Sequence, residues 1–297
     1  MGNHEANVVV TIPLYRENLS ETEEKSFRRS CAVFGGKHSI VAFAPEKMDL
    51  STYTKIFPNL EVEFFPAEYF RSIGDYSRLL LSEEFYERFS MFQWLLICQL
   101  DVWVFRDELD YWCSRKIDYL GAPIPACWDP GIPKNLDRYI VGNGGFSLRR
   151  VSSILKVLRA GDSMMYTRGM LWRFFLSHLR SGHLIKGLVP LIRMFGVGNK
   201  RKDCLRILRK QGACEDMVFR TIAASGIEPS LKLPSVEEAA RFAWDGESAW
   251  HFFCQSSNIP MALHAWHRIK EDELIKQLWE KYGELCSLPE WKSILRK

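Results

Sequence analysis

Apolar residues along the chain fall into short, dense runs separated by polar, turn-forming segments. Asn7 to Pro13 reads NVVVTIP, His38 to Pro45 reads HSIVAFAP, and Val62 to Pro66 reads VEFFP. Short runs rich in β-branched and aromatic residues and closed by proline predict buried strands. Between them, SETEEKSFRRS opens a helix from Ser20 to Phe34, with Ser20 as N-cap and Glu23 in the capping-box position. Tyr69 to Phe89 predicts a helical stretch broken or bent near Gly74. LLICQLDVWVF, residues 95–105, predicts a further buried strand. Strands alternating with helices predict a parallel α/β sheet, with ligands beyond the carboxyl ends of its strands.

The second half is less regular. DYLGAP predicts a short strand and turn. VGNGGFSLRRVSSILKVLRA predicts a Gly-rich loop, a strand and a helix. Residues 161–212 have the composition of a basic helical insertion. CEDMVFRTIAAS predicts a helix, the tail from Leu231 to Trp266 is rich in aromatic residues, and an amphipathic helix is predicted from Glu271 on.

Composition narrows the class. The 297 residues are 47% hydrophobic and 26% charged, which marks a globular chain and excludes a disordered one. Its ten Trp suit either a core or a binding cleft. The eight cysteines show no Cys-x-x-Cys or Cys/His ligand spacing, and Cys31, Cys98 and Cys254 lie in apolar runs. They are expected to be reduced core residues of a cytoplasmic protein. MGNHEANVVVTIPLY has neither the pattern of a secretory signal nor that of a myristoylation site. No apolar run reaches the length of a membrane span. Net charge is only +4, but Arg180 to Lys210 carries nine Lys or Arg against the single acid Asp203. That stretch reads either as an insertion with solvated charges or as an edge resting on an anionic membrane. No nucleic-acid partner is expected.

Four places could carry chemistry. In the apolar run 95–105, Gln99 and Asp101 would share one side of a strand. Asp101 there either meets a divalent cation or caps the following turn with help from Arg106. The loop Gly142, Asn143, Gly144, Gly145 either lets a backbone approach a ligand or simply makes a turn. No Lys-Ser/Thr follows it, which excludes a nucleotide-hydrolase P-loop. Glu215 and Asp216 open a helix, where they either complement its dipole or serve as a general base at a cleft. His264, among aromatic residues, is either structural or a metal ligand.

The order of these features is more specific than any one of them. GDYSRLLLSEEFYERF, LICQLDVWVFRDEL, DYLGAP, VGNGGFSLRR, EDMVF and the late HAW resemble nucleotide-sugar glycosyltransferases of the GT-A fold, and in detail the family DUF5672. The resemblance implies a GT-A-like α/β fold with a mixed, mainly parallel sheet flanked by helices, in a single domain spanning 1–297. Residues 1–110 would form the nucleotide-binding half, 111–270 the donor-sugar and acceptor half with the insertion at about 161–212, and 271–297 a C-terminal helix. The implied activity is transfer of a sugar from a nucleotide-diphosphate sugar to a glycan or lipid-linked acceptor, assisted by Mn²⁺ or Mg²⁺.

The resemblance also implies roles for individual residues. Asp101 and His264 would hold the metal. The family's Asp-x-Asp reads Gln99-Leu100-Asp101 here, so only the second acid is kept. Gly142 to Gly145 would approach the donor sugar, and Asp216, with Glu215, would be catalytic. Asp75, Tyr76 and Arg78 would lie over the nucleotide, and Pro13 and Tyr15 would receive the base and ribose. Two other readings stay open. One is a non-catalytic sugar- or nucleotide-binding descendant of the fold. The other is a metal-dependent phosphotransferase or nuclease, which would need Asp101 clustered with Glu215 and Asp216.

Overall fold

The computed structural model describes residues 7–128, 139–160, 214–225, 229–246, 248–255 and 259–269, together with positions 172, 175 and 176. The predicted insertion at 161–212, the basic stretch 180–210 and the predicted C-terminal helix lie essentially outside these residues.

The first half alternates as its pattern predicts: β1 (Val8–Pro13), α1 (Glu21–Phe34), β2 (Ser39–Pro45), α2 (Ser51–Ile56), β3 (Glu61–Phe65), α3 (Ile73–Leu80), α4 (Glu83–Arg88) and β4 (Trp94–Cys98). After these come β5 (Val102–Val104), α5 (Leu109–Ser114), β6 (Tyr119–Gly121), β7 (Pro123–Pro125), β8 (Tyr139–Val141), β9 (Phe146–Arg150) and α6 (Val151–Arg159). The later described elements are α7 (Glu215–Ser225), α8 (Val236–Phe242), β10 (Ala243–Asp245), α9 (Ala249–Gln255) and β11 (Ala262–His264). Ser20 caps α1, and Glu23 returns the bond to the Ser20 backbone. A cap of this kind contributes about 1 kcal/mol.

The main sheet has the order β3-β2-β1-β4-β9-β6. β3, β2, β1 and β4 are parallel, and β9 runs against both β4 and β6. It is the mixed, mainly parallel α/β sheet that the family resemblance implies. Period-two alternation sorts its side chains into two cores. Val8, Val10 and Ile12 of β1, with Trp94, Leu96 and Cys98 of β4, pack beneath α1, α5 and α8. Val9, Leu95 and Ile97 face α3, α4, α6 and α7. Each such side chain stabilises the fold by roughly 1.5–3 kcal/mol when fully buried.

Two sequence expectations are corrected here. Residues 95–105 do not form one strand. β4 ends at Cys98, the chain turns with Val102 N–H donating to Gln99 O at 3.1 Å, and β5 joins a different, three-stranded sheet of order β10-β11-β5. A continuous apolar pattern hid the break because both sides of the turn are buried, β4 in the main sheet and Trp103 of β5 in a third core with Trp244 and Trp266. Likewise, the stretch 69–89 is broken rather than bent, and not at Gly74 itself. Gly74 lies within α3, and the breaks fall at Ser72 and Ser82, whose hydroxyls cap new helices by accepting from Asp75 N–H and Phe85 N–H.

Cys31, Cys98 and Cys113 are buried, whereas Cys254, expected in the core, is exposed. Among the described residues no helix is long and apolar enough to cross a membrane.

Candidate functional site

The turn that ends β4 places Gln99 and Asp101 at the carboxyl edge of the main sheet. The small sheet delivers His264 to the same point. Its register sets Asp245 of β10 beside His264 of β11, and His264 opposite Val102, the residue after Asp101. His264 Nε2 then lies 3.3 Å from Asp101 Oδ1 and 3.3 Å from Gln99 Oε1. Its other nitrogen, Nδ1, lies 2.8 Å from Asp245 Oδ2, which also accepts from Asn143 Nδ2 at 2.9 Å. Gln99 and Asp101 therefore do act together, because of a turn and not because of strand alternation. Arg106 is spent elsewhere, on Glu108 and on the carbonyls of Ile259 and Pro260, and not on Asp101.

Electrostatics follow from this geometry. Burial pulls the His264 pKa down, but hydrogen bonds and charge from Asp101 and Asp245 outweigh it and raise the imidazole to about 9. Burial, the largest single influence, pushes Asp101 up, but the bond to His264 and the charges of His264 and His267 together more than reverse it, so its carboxyl is held below the usual range. The unit is a proton held between carboxylates. A divalent cation could replace that proton, taking the carboxylate oxygen of Asp101, the imidazole nitrogen of His264 and the amide oxygen of Gln99. Carboxylate, imidazole and amide oxygen suit Mn²⁺ or Mg²⁺, which complete their shells with water and substrate phosphate. Asp245 would then be the outer carboxylate that fixes the ring and its tautomer. Among the described residues no three His, Cys, Asp or Glu side chains form a metal cluster by themselves, so Gln99 matters to the fit.

The Gly-rich loop is shaped by close approach. A Cβ on Gly145 would fall on the His264 ring, and 2.7 Å from Gln99 Oε1. A Cβ on Gly144 would lie 2.7 Å from Glu215 Oε1. Two loop amides are already used within the protein: Gly145 N–H donates to Asn143 Oδ1 at 2.9 Å, and Gly144 N–H to Asp216 Oδ2 at 3.1 Å. Gly145→Ala is expected to force the His264 ring aside and to destabilise the protein by about 1–3 kcal/mol, the usual cost of overpacking. A Cβ on Gly142 would meet the Arg220 side chain at 3.3 Å, a milder approach than at Gly145, so Gly142→Ala is expected to cost less. Thermal unfolding of the two variants side by side checks this, and equal Tm values would contradict it.

Glu215 and Asp216 lie on the other side of the loop. Both Glu215 oxygens are engaged, by Arg149 at 3.0 Å and by the Ser77 hydroxyl at 2.9 Å. Asp216 is half-buried and, among the described residues, accepts only backbone N–H groups, from Gly144 and Met217. Burial first, then the neighbouring Glu215 charge, push its pKa up to about 7. Its raised pKa suits Asp216 to exchange a proton near neutral pH. The Gly144–Gly145 pair stands between these acids and the Asp101–His264 group, so the carboxylates do not form the single cluster that a phosphotransferase or nuclease would need.

The remaining predicted residues divide. Tyr76 stacks on Phe43 with centroids 6.1 Å apart, and its hydroxyl is buried close to Gln99 and Glu215. Asp75 and Arg78 pair with each other at 3.1 Å, on the face of α3 opposite Tyr76 and Ser77. Pro13 ends β1. Two residues on, Tyr15 is 40% exposed, donates to Glu23 Oε1 at 2.6 Å and carries the Arg16 guanidinium over its ring. The Asp101 charge acts weakly on Tyr15, after burial and Glu23.

Sequence reasoning missed Asp245, Arg149 and Ser77. Asp245 had a signal, since AWDG repeats the pattern of an apolar strand closing on an acid. Arg149 had one too, because alternation from Phe146 and Leu148 turns Ser147 and Arg149 to the opposite face.

Residues 59–264 match the model of a family described as "Protein of unknown function (DUF5672)". No curated protein matches the chain. Similar solved structures include core-mannan synthase A (CmsA/Ktr4) from Aspergillus fumigatus in a Mn/GDP form. It is 11% identical, with 75% of this chain and 72% of that chain covered and a TM-score of 0.38. An active-site mutant of LgtC is 15% identical, with 96% of this chain and 99% of that chain covered and a TM-score of 0.45.

Proposed function

The chain belongs to the DUF5672 family, and we propose that it is a GT-A-like glycosyltransferase acting on a nucleotide-diphosphate sugar. The observation that carries this reading is the meeting of Asp101, Gln99 and His264, backed by Asp245, at the carboxyl end of β4. A parallel α/β sheet offers its ligand crevice there.

Asp101 and His264, with Gln99, would hold Mn²⁺ or Mg²⁺, and the cation would neutralise charge on the departing diphosphate. Tyr15, just after β1, and Tyr76, whose ring packs on Phe43 of β2, would lie on the nucleotide side of the crevice. Asp216, across the Gly-rich loop, would accept the proton of the acceptor hydroxyl. That oxygen bonds to the sugar carbon as the bond to diphosphate breaks, and the nucleoside diphosphate leaves. A carboxyl with a pKa near 7 is poised for this transfer at neutral pH. Glycan or lipid-linked hydroxyls are the proposed acceptors.

A second reading is a nucleotide-sugar-binding module without turnover. It draws on Gln99 in place of an acid and on the loop amides being bonded internally.

Thermal shift with nucleoside diphosphates tests the binding common to both readings. A ligand at a hundred times its Kd raises stability by about 2.7 kcal/mol. The expected result is a Tm rise with at least one nucleoside diphosphate that requires Mn²⁺ or Mg²⁺. Unchanged Tm across the set, with and without metal, would sink the proposal.

A further inference from the structure

A buried ion pair is a poor means of gaining stability, because apolar residues of similar volume in its place are often neutral or stabilising. Arg149 and Glu215 form such a pair beneath the Gly-rich loop, with side chains 0% and 5% exposed. The guanidinium also donates to Tyr86 OH at 2.8 Å and to Ser147 Oγ at 3.0 Å, and it lies over the rings of Tyr119 and Phe219. Glu215 passes the connection on to Ser77 of α3. One ion pair thus ties β9, α3, α4 and the first turn of α7 together.

The consequence falls on the next residue. Glu215 Oε1 is so close to Gly144 that no side chain fits there, and Asp216 accepts the Gly144 N–H. We propose that Arg149 is a positioning residue for Asp216. By fixing Glu215 it sets the start of α7 against the Gly-rich loop and holds the Asp216 carboxylate on the Gly144 amide. This rests on the reading of Asp216 as the base of glycosyl transfer.

The test is the double substitution Arg149→Met with Glu215→Leu, which removes both charges and keeps the volume close. The expected result is a Tm at or above that of the wild type, a donor KM within about twofold, and a kcat lowered about a hundredfold, the scale of a 1 Å misplacement. A pair that only supports the fold would leave kcat intact in a folded variant, and that result would overturn the proposal. Arg149→Lys, which keeps the charge but loses the planar fork, gives the same comparison if the double variant does not fold.

A wild-type protein with no transfer activity would overturn the base reading instead. Positioning is then read from amide hydrogen exchange at Gly144 and Met217, whose N–H groups Asp216 accepts. Faster exchange at both in the double variant supports it, and unchanged exchange overturns it.

Discussion

Asp216→Asn is expected to lower kcat by roughly 10²–10⁴-fold, the usual contribution of a general base, with donor affinity little changed. The substitution is nearly isosteric, and the amide oxygen can still accept from Gly144 N–H and Met217 N–H, so the fold is expected to persist. What is lost is the ability to take a proton. The same carboxyl sets a pH dependence. Its pKa is raised to about 7 by burial and by Glu215, and Arg149 lowers it in part; Tyr119 and the Cys214 thiol complete its titratable surroundings. A base works deprotonated, so kcat should rise as pH increases through about 7 and flatten above it. In Asp216→Asn that rise should disappear. Steady-state kinetics across pH measures both effects. Donor affinity lost with kcat intact would move Asp216 from proton transfer to donor binding.

Asp101→Ala is expected to abolish transfer and to weaken metal-dependent binding of a nucleoside diphosphate on the order of a hundredfold or more, exceeding the roughly 10–100-fold typical of outer-shell changes. It removes the carboxylate donor and leaves only a neutral amide, Gln99, on the Nε2 side of the imidazole. It also takes from His264 one of the two acids that raise its pKa, so the imidazole should titrate at lower pH than in the wild type. The fold should survive, because the Asp101 side chain is 22% exposed and the packing of β4 and β5 does not depend on it. Calorimetry with Mn²⁺ and nucleoside diphosphate separates the effects. Wild-type affinity in the variant would remove Asp101 from the metal site.

Much of the fold was legible because burial is written in the spacing of apolar residues. β1, β2 and α1 follow from NVVVTIP, HSIVAFAP and the Ser20 capping box, each a local signal with a local cause. The break after Cys98 was not legible. A turn between two buried strands in different sheets carries the same apolar text as one long strand, and only the pairing of β5 with β11 reveals it. The site followed the same rule. Asp101, the Gly-rich loop and Asp216 were singled out as local anomalies, a charge in an apolar run, a cluster of glycines and acids at a helix start, while their proposed roles and that of His264 came from the family resemblance. Asp245 and Arg149 carried weaker local signals, a short apolar strand closing on an acid and a place in the alternation of β9, and what they do depends on partners distant in the sequence. Asp75 and Arg78 were drawn in by the same helix that carries Tyr76, although the helix turns them to its opposite face.

The central claim is that the Asp101–His264 group and Asp216 form one transfer site around the Gly-rich loop. The most direct measurement is release of nucleoside diphosphate from a panel of nucleotide-diphosphate sugars by the purified protein, with Mn²⁺ and with chelator, beside Asp101→Ala. The account predicts metal-dependent release from at least one donor by the wild type and none by the variant. Release that is equal in chelator, or equal in Asp101→Ala, would contradict it.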